Sequence, residues 1–436
     1  MRLRRALLGL LGVVLLGAAA FLYVARQPAL PAIQAQPASF DAALIAHGAE
    51  LAFLGNCNVC HTKSDGMPYA GGRPLQTPFG TVYATNITPD PDTGIGSWSE
   101  EAFLRAMREG VRRDGAHLYP AFPYDHFSKV SAGDLRALYA FLMTREPVRA
   151  ETPANALPFP WSERALIAGW KLIYFKPGEL KSDPTLSAEL NRGAYLVEGL
   201  AHCGACHTPR NRLGAEQNDR YLGGGEAEGW HAPALNAAST APMPWTPEQL
   251  FGYLRNGFVA AHGVAAGPMQ SVANNLSVVP EQDVKAIAAY IGAILGPPTA
   301  QRDAHPSDTR GRTPSALPAP DGESTAVGTD GGVIYAGACA LCHETTGEQF
   351  SAHGIHLAAS KLITMPDPRN LAHVILEGVS PPKASPAAVM PGFAAVLTDG
   401  QIAALMAYLR ASFSKQPVWS RLEDKVREVR QSTREP

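Results

Sequence analysis

Cys203-Gly204-Ala205-Cys206-His207 decides how this chain is read, because its spacing returns as Cys57-Asn58-Val59-Cys60-His61 and as Cys339-Ala340-Leu341-Cys342-His343. Those copies use all six cysteines of the sequence. CxxCH is the pattern of haem c attachment. Two thiols add across the vinyl groups of one porphyrin, and the histidine beside the second thiol comes to lie under the iron as its proximal ligand. A CxxC pair alone would also suit half a zinc site or a dithiol redox centre. Histidine in fifth place every time, with no cysteine to spare, points instead to three covalently bound haem c groups. Cys57, Cys60, Cys203, Cys206, Cys339 and Cys342 hold them, and His61, His207 and His343 face the irons.

A chain of 436 residues has room for about three domains, one per motif. With 17% charged residues and a formal net charge of -2, the sequence carries no basic footprint for nucleic acid. The 41 glycines and 37 prolines suit small domains whose loops wrap a cofactor and whose core is partly the porphyrin. At the N-terminus, Arg2, Arg4 and Arg5 precede an uncharged apolar run from Ala6 to Ala25. This places the positive end inside and exports the remainder of the chain. The run is long enough to cross a hydrocarbon core and longer than a usual signal-peptide core. Residues 1–27 are therefore read as a signal or a transmembrane anchor, with Ala18, Ala19, Ala20, Ala32 and Ala35 leaving cleavage open. No later segment resembles a membrane span.

Outward from the motifs the same frame repeats. Gly48-Ala49-Glu50-Leu51 precedes the first motif, Gly193-Ala194-Tyr195-Leu196 the second and, as a weaker echo, Gly332-Val333-Ile334-Tyr335 the third. Residues 134–142, 283–291 and 399–409 share one helical pattern behind an acidic start, and each reads as a closing helix that crosses the opening one. Tyr139, Tyr290 and Tyr408 fall at similar places in it and read as core contacts. The expected organisation is an all-α chain with haem domains at 38–150, 186–296 and 329–413. A Pro- and Trp-rich bridge fills 151–185, with a short helix at 163–174 and with Trp161 and Trp170 packing on a haem domain. A solvated linker fills 297–328, and a charged tail that can dock as a helix fills 414–436. Residues 27–39, rich in Pro, Ala and Gln, read as a stiff spacer.

A low-spin electron-transfer haem needs a second axial ligand, and methionine raises its potential relative to histidine. Met390 lies 47 residues after His343 and Met269 lies 62 residues after His207, both shortly before a closing helix. These are the expected sixth ligands, ahead of Met365 and Met243. The first domain departs from the pattern: counting back from its closing helix puts Phe122 in the slot, and phenylalanine cannot ligate iron. His126, four residues on, is the assigned ligand and gives a bis-histidine haem of lower potential; a five-coordinate iron stays open. Met107 and Met143 read as helix core and His117 as a surface-loop residue. His47, His202, His231, His262, His305, His353, His356 and His373 read as surface or haem-edge residues.

The residues 78–90 (Pro-Phe-Gly-Thr-Val-Tyr-Ala-Thr-Asn-Ile-Thr-Pro-Asp), Tyr119 to Tyr124, Cys206-His207-Thr208-Pro209-Arg210-Asn211, Ala232-Pro233-Ala234-Leu235 and Ala266-Gly267-Pro268-Met269 carry a resemblance. From residue 40 to 413 the chain resembles the three-haem cytochrome c subunits of membrane-bound bacterial dehydrogenases: alcohol dehydrogenase, gluconate 2-dehydrogenase and molybdenum hydroxylases such as nicotinate dehydrogenase. Phe122 and the following Pro-Tyr-Asp-His are most similar to the molybdenum hydroxylase cytochromes. The resemblance implies three class I cytochrome c domains in tandem and no substrate chemistry on this chain. It implies a dehydrogenase partner bearing molybdopterin and iron-sulfur clusters, ubiquinone or a terminal oxidase as acceptor, and a place on the inner membrane facing the periplasm. The alternative class is a haem enzyme, peroxidase-like or thiosulfate-oxidising, working at an open or displaceable sixth site on the first haem. A free periplasmic shuttle is disfavoured by the size and the apolar N-terminus.

Overall fold

An opening helix that runs into a CxxCH turn is crossed at a glycine by a closing helix, and this happens three times. The computed structural model describes residues 2–34, 39–241, 243–296, 330–343, 357, 360–380 and 389–433. The expected linker, with His305, and also His353 and His356, lie outside the described residues. The opening helices are Ala42–Leu54, Ala188–Tyr195 and Gly331–Ala338, and the closing helices are Ala132–Met143, Glu281–Leu295 and Asp399–Phe413. A Cβ on Gly48 would sit 2.0 Å from the Ala137 carbonyl oxygen; on Gly193 or Gly331 it would sit 2.1 Å from that of Ala286 or Ala404. Only glycine lets the backbones come this close.

That register corrects two readings. The third crossing glycine is Gly331, one residue before the sequence echo at Gly332. Four residues beyond each crossing carbonyl stand Phe141, Tyr290 and Tyr408, so Tyr139 is not their equivalent. Tyr139 donates its hydroxyl to the Trp98 carbonyl at 2.8 Å and packs its ring on Phe40 and Phe103. The crossing glycine stands nine, ten and eight residues before the first cysteine of the three motifs. In the second copy the extra residue falls in a π-helical turn at Leu196–Leu200. Asp41, Ser187 and Asp330 accept backbone N–H bonds at the starts of the opening helices, each worth about 1 kcal/mol.

The chain divides into two compact units. The first comprises residues up to 183 with 198–202 and 212–215. After the CxxCH turn come an antiparallel hairpin, Pro74–Thr77 with Gly80–Tyr83, and the helix Glu100–Glu109, which ends on Gly110 at φ +62°. The bridge belongs to this unit: Ala156 pairs with Thr81 along the hairpin edge, Trp161 packs on Phe79, and Trp170 in the helix Ala165–Tyr174 donates to the Leu213 carbonyl at 2.9 Å. The N-terminal helix runs Arg2–Ala25, and some of its side chains are not described. Among the described residues no helix is long and apolar enough to cross a membrane. The residues after it are extended as expected but do not form a free spacer. Leu30 and Ile33 donate to the carbonyls of Arg113 and Ser97, and Arg105 donates to that of Pro28. An extended backbone leaves its polar groups open, and here neighbouring loops and an arginine pair them.

The second unit holds the second and third copies of the frame. The second copy adds the hairpin Gly225–Ala227 with Trp230–Ala232, the helix Pro247–Asn256 ending on Gly257 at φ +68°, and the helix Pro268–Leu276. The third copy packs Tyr335, Ile363, Leu376, Ile402 and Met406 into one core under the helix Arg369–Glu377. The charged tail docks on this same copy: the helix Leu422–Ser432 buries Leu422, Val426 and Val429, while Arg430 binds Asp399 at 2.6 Å. Helices dominate as expected, and three short antiparallel pairs are the part that an all-α reading did not include.

Candidate haem-attachment sites

The two cysteines of each motif are brought onto one face by a single helical turn. Cys57–Cys60, Gly204–His207 and Ala340–His343 are such turns, and the histidine N–H bonds back to the first cysteine's carbonyl at 3.0 Å in the first two and 3.1 Å in the third. None of the six cysteines forms a disulfide. Burial, with the neighbouring cysteine adding to it, pushes the Cys57 and Cys203 thiols up to about 12 and Cys339 up to about 11. These positions disfavour a thiolate and accept a neutral sulfur, as a thioether to a porphyrin is.

Two of the histidines are oriented from behind. His61 donates Nδ1–H to the Thr85 carbonyl at 2.6 Å, and His207 donates to the Pro233 carbonyl at 2.7 Å. That fixes the tautomer and leaves Nε2 unprotonated, the nitrogen available to a metal. Burial holds His61 below the ordinary imidazole range and pushes His207 down to about 4, so both rings are neutral, the form that ligates. Sequence reasoning missed these acceptors because a carbonyl has no letter of its own. The signal lay in the motifs around them. Asn86, buried, donates to Thr93 Oγ1 and the Val148 carbonyl and accepts from Thr88, which pins the loop carrying Thr85. Gly71 and Gly225 stand where a Cβ would strike the Thr85 carbonyl carbon or the Cys206 carbonyl.

Hydrogen bonding puts the first and second copies in one register past the middle helix. Leu118 N–H donates to Gly110 and Ala265 N–H to Gly257, both at 2.8 Å across the end of the middle helix. Four residues past those donors stand Phe122 and Met269, so the counted slot is occupied by Phe122. Its ring packs on Phe127 at 5.2 Å. Met269 follows Gly267-Pro268 at the start of its helix, and Gly267 at φ +55° leaves room only for the Trp230 indole. In the third site Met390 exchanges two backbone hydrogen bonds with Val379, each 2.9 Å, and packs against the core. Met365 and Met107 are core residues.

His126 stands apart. Its Nδ1 donates to the Glu198 carbonyl at 2.7 Å, the pattern of His61 and His207, yet the residue is only 2% exposed and takes the place of the buried Ala273. His61, His207, His343, Met269 and Met390 are each partly exposed, as side chains lining a cofactor crevice are. Two further histidines differ from expectation. His117 is buried, donating through Nε2 to the Ala25 carbonyl and accepting from Lys171 at Nδ1. His373 is buried beneath Trp230.

Neutral paired thiols on one turn and an imidazole aimed by a backbone carbonyl, with a methionine ahead of the closing helix in two of the copies, are the protein half of a c-type cytochrome. Known proteins agree. The family described as cytochrome c oxidase, cbb3-type, subunit III matches residues 188–291 and 326–409. A nicotinate dehydrogenase subunit of Pseudomonas putida is 46% identical over 90% of this chain, which spans 32% of that longer protein. The fructose dehydrogenase cytochrome subunit of Gluconobacter japonicus is 36% identical over 89% of this chain and 82% of its own length. The gluconate 2-dehydrogenase cytochrome c subunit of Pantoea cypripedii is 37% identical over 85% and 86%. The chain belongs to this family of dehydrogenase cytochrome c subunits, whose members are electron-transfer components and not the catalytic subunits, and membership implies covalently bound haem c.

Proposed function

We propose that the chain carries three haem c groups in three class I cytochrome c domains, at 38–150, 186–296 and 329–413, and passes electrons from a dehydrogenase to quinone or the respiratory chain. The observation that carries this reading is the threefold frame of opening helix, CxxCH turn and glycine crossing. Haem supplies the one-electron chemistry. The chain's residues hold it, keep His61 and His207 neutral, and choose the sixth ligand. The partner is a molybdenum hydroxylase type of dehydrogenase, which the relative in Pseudomonas putida and the loop at Phe122 both support. The test is purification of the chain with its associated subunits, haem counting by mass, and reduction of its haems by the partner's substrate. One haem per chain, or no reduction through any dehydrogenase, would overturn it.

The location follows from the apolar run at Ala6–Ala25, read as an anchor in the inner membrane with the haem domains in the periplasm. The helix Ala165–Tyr174 supports it: Gly169 lies against Phe21 of the N-terminal helix, and Leu172 and Ile173 beside it are 76% and 68% exposed. Release of the chain from membranes by salt alone would sink this location.

For the first haem, His126 is the proposed sixth ligand, on its Nδ1 pattern and its place one helical turn beyond the slot. The second reading, an open iron available for haem-enzyme chemistry, is favoured by His126 being closed off and by Phe122 in the slot. Carbon monoxide binding to one reduced haem separates them: binding supports the open iron, and a spectrum unchanged by the gas supports the histidine.

A further inference from the structure

The Trp230–Ala232 strand lies between the second and third haem sites, and it is held from the third side by one helix. Asn370, 6% exposed, reads the backbone of His231 as a neighbouring strand would. It accepts from His231 N–H and donates to the His231 carbonyl, both at 2.8 Å. One turn on, His373 stacks on the Trp230 indole with ring centres 4.6 Å apart and planes 18° from parallel. Two residues past His231 is the Pro233 carbonyl that aims His207, and the other edge of Trp230 fills the space at Gly267, two residues before Met269. Trp230 thus touches the structures that set both axial ligands of the second haem.

The same helix, Arg369–Glu377, leads straight to the third haem's ligand loop. Phe393 and Ala394 donate to the carbonyls of Ile375 and Leu376, and Val379 pairs with Met390. Gln270, beside Met269, donates to the Ser380 carbonyl, beside Val379. The two methionine loops are therefore joined directly and through the Trp230–His373 stack.

We propose that Trp230, Asn370 and His373 form a clamp that fixes the Met269 loop against the Met390 loop, so that the second and third haems work as one coupled pair exchanging electrons across their methionine sides. This rests on the electron-transfer reading above. Each exchange oxidises one haem iron by one electron and reduces the other by one, with no proton or further reactant. Trp230 and His373 are positioning residues in this pair, acting through the loops.

The test uses the full haem-loaded protein, with the rate of internal transfer followed by flash reduction and the methionine-to-iron absorption of the ferric state as a check on ligation. His373→Ala should keep all haems and both methionine signatures yet slow transfer between these two haems roughly tenfold, a size within the range of coupling mutations. His373→Phe, which restores a flat stacking partner, should recover most of the rate. Asn370→Ala should act in the same direction, and if an alanine variant loses haem, His373→Leu, which fills the space without a flat ring, should still show the slowed transfer, a parent-like rate in it counting against the clamp. Unchanged transfer in both His373→Ala and Asn370→Ala, with methionines still on the irons, would overturn the clamp. Absence of any transfer between these haems in the parent protein would instead overturn the electron-transfer reading itself.

Discussion

The first and second haem sites are built on the same frame and differ where the iron would be met. In both, a glycine lets the closing helix touch the opening one, a carbonyl aims the proximal histidine, and the middle helix ends on a left-handed glycine. In both, an arginine two residues before that glycine reaches across to carbonyls ahead of the closing helix: Arg108 to Val130, and Arg255 to Leu276 and Val279. Then Phe122 stands for Met269, and His126 for Ala273. On the proposed reading the frame fixes where a haem is held, whereas one or two positions on it fix what the iron sees. The fold and the redox character can therefore vary separately.

The largest effect should come from breaking what the two sites share. Gly48→Ala and Gly193→Ala each drive a Cβ into a helix backbone that cannot move as a side chain can. Each should cost roughly 3 kcal/mol or more, at the upper end for overpacked cores. Chemical denaturation followed by helical signal and haem absorbance should show Gly48→Ala weakening the first unit and Gly193→Ala the second. Parent-like stability in either variant would mean that the crossing is looser than 2.0 to 2.1 Å implies.

The next experiment exchanges what distinguishes them. Phe122→Met should give the first haem a thioether ligand in the register of Met269 and raise its midpoint on the order of 100 mV, within the span that axial ligands command. His126→Ala in the parent should alter the first haem's spectrum if the histidine ligates, and should leave it unaltered if the iron is open. Potentiometric titration with optical detection reads both. A first haem already indistinguishable from the other two would end the contrast.

The sequence made the CxxCH turns and the closing helices legible because each is a local pattern of side-chain types. It hid what depends on backbone atoms or on distant partners. The carbonyls of Thr85 and Pro233 carry no residue signature. A glycine's crossing register shows only when the helices meet, which is why the pattern points to Gly332 and Tyr139 where the structure has Gly331 and Phe141. His117 reads as a surface-loop residue and His373 as a surface or haem-edge residue, since the groups that bury them, Ala25 with Lys171 and Trp230, lie far away in the chain. Phe122 was legible for the opposite reason: a phenylalanine stands out where the second copy has Met269 in the same register.

A smaller loss tests the way the first site holds its proximal carbonyl. Asn86 satisfies Thr93, Val148 and Thr88 together while only 2% exposed. Asn86→Ala should cost about 2 kcal/mol, because buried polar groups then lack partners. It should also lower the first haem's thermal stability without touching the second, whose acceptor loop is held by Asn370. Thermal melting read at the haem bands checks this, and equal losses at both sites would contradict it.

The smallest expected effect separates the two units by pH. In the first, Lys171 donates to the carbonyls of Glu109 and Gly110 and to His117, and burial, offset in part by Glu109, pushes it down to about 8 from 10.5. Over that interval the unfolded chain holds the proton that the folded unit has already released, so stability rises with pH from about 8 upward and levels off near 10.5. Below pH 8 both states carry the charge and the cost of burying it is present in full. The second unit uses Arg255 at the end of its middle helix, and guanidinium groups do not titrate in this range. The first unit's melting temperature should climb relative to Lys171→Met by an amount worth about 1 kcal/mol, reduced by the solvent that still reaches the amine. The second unit should show no difference between the two proteins. A parallel pH course for the first unit in parent and variant would mean that Lys171 keeps its proton when folded, with the helix-end carbonyls stabilising the charge more than burial opposes it.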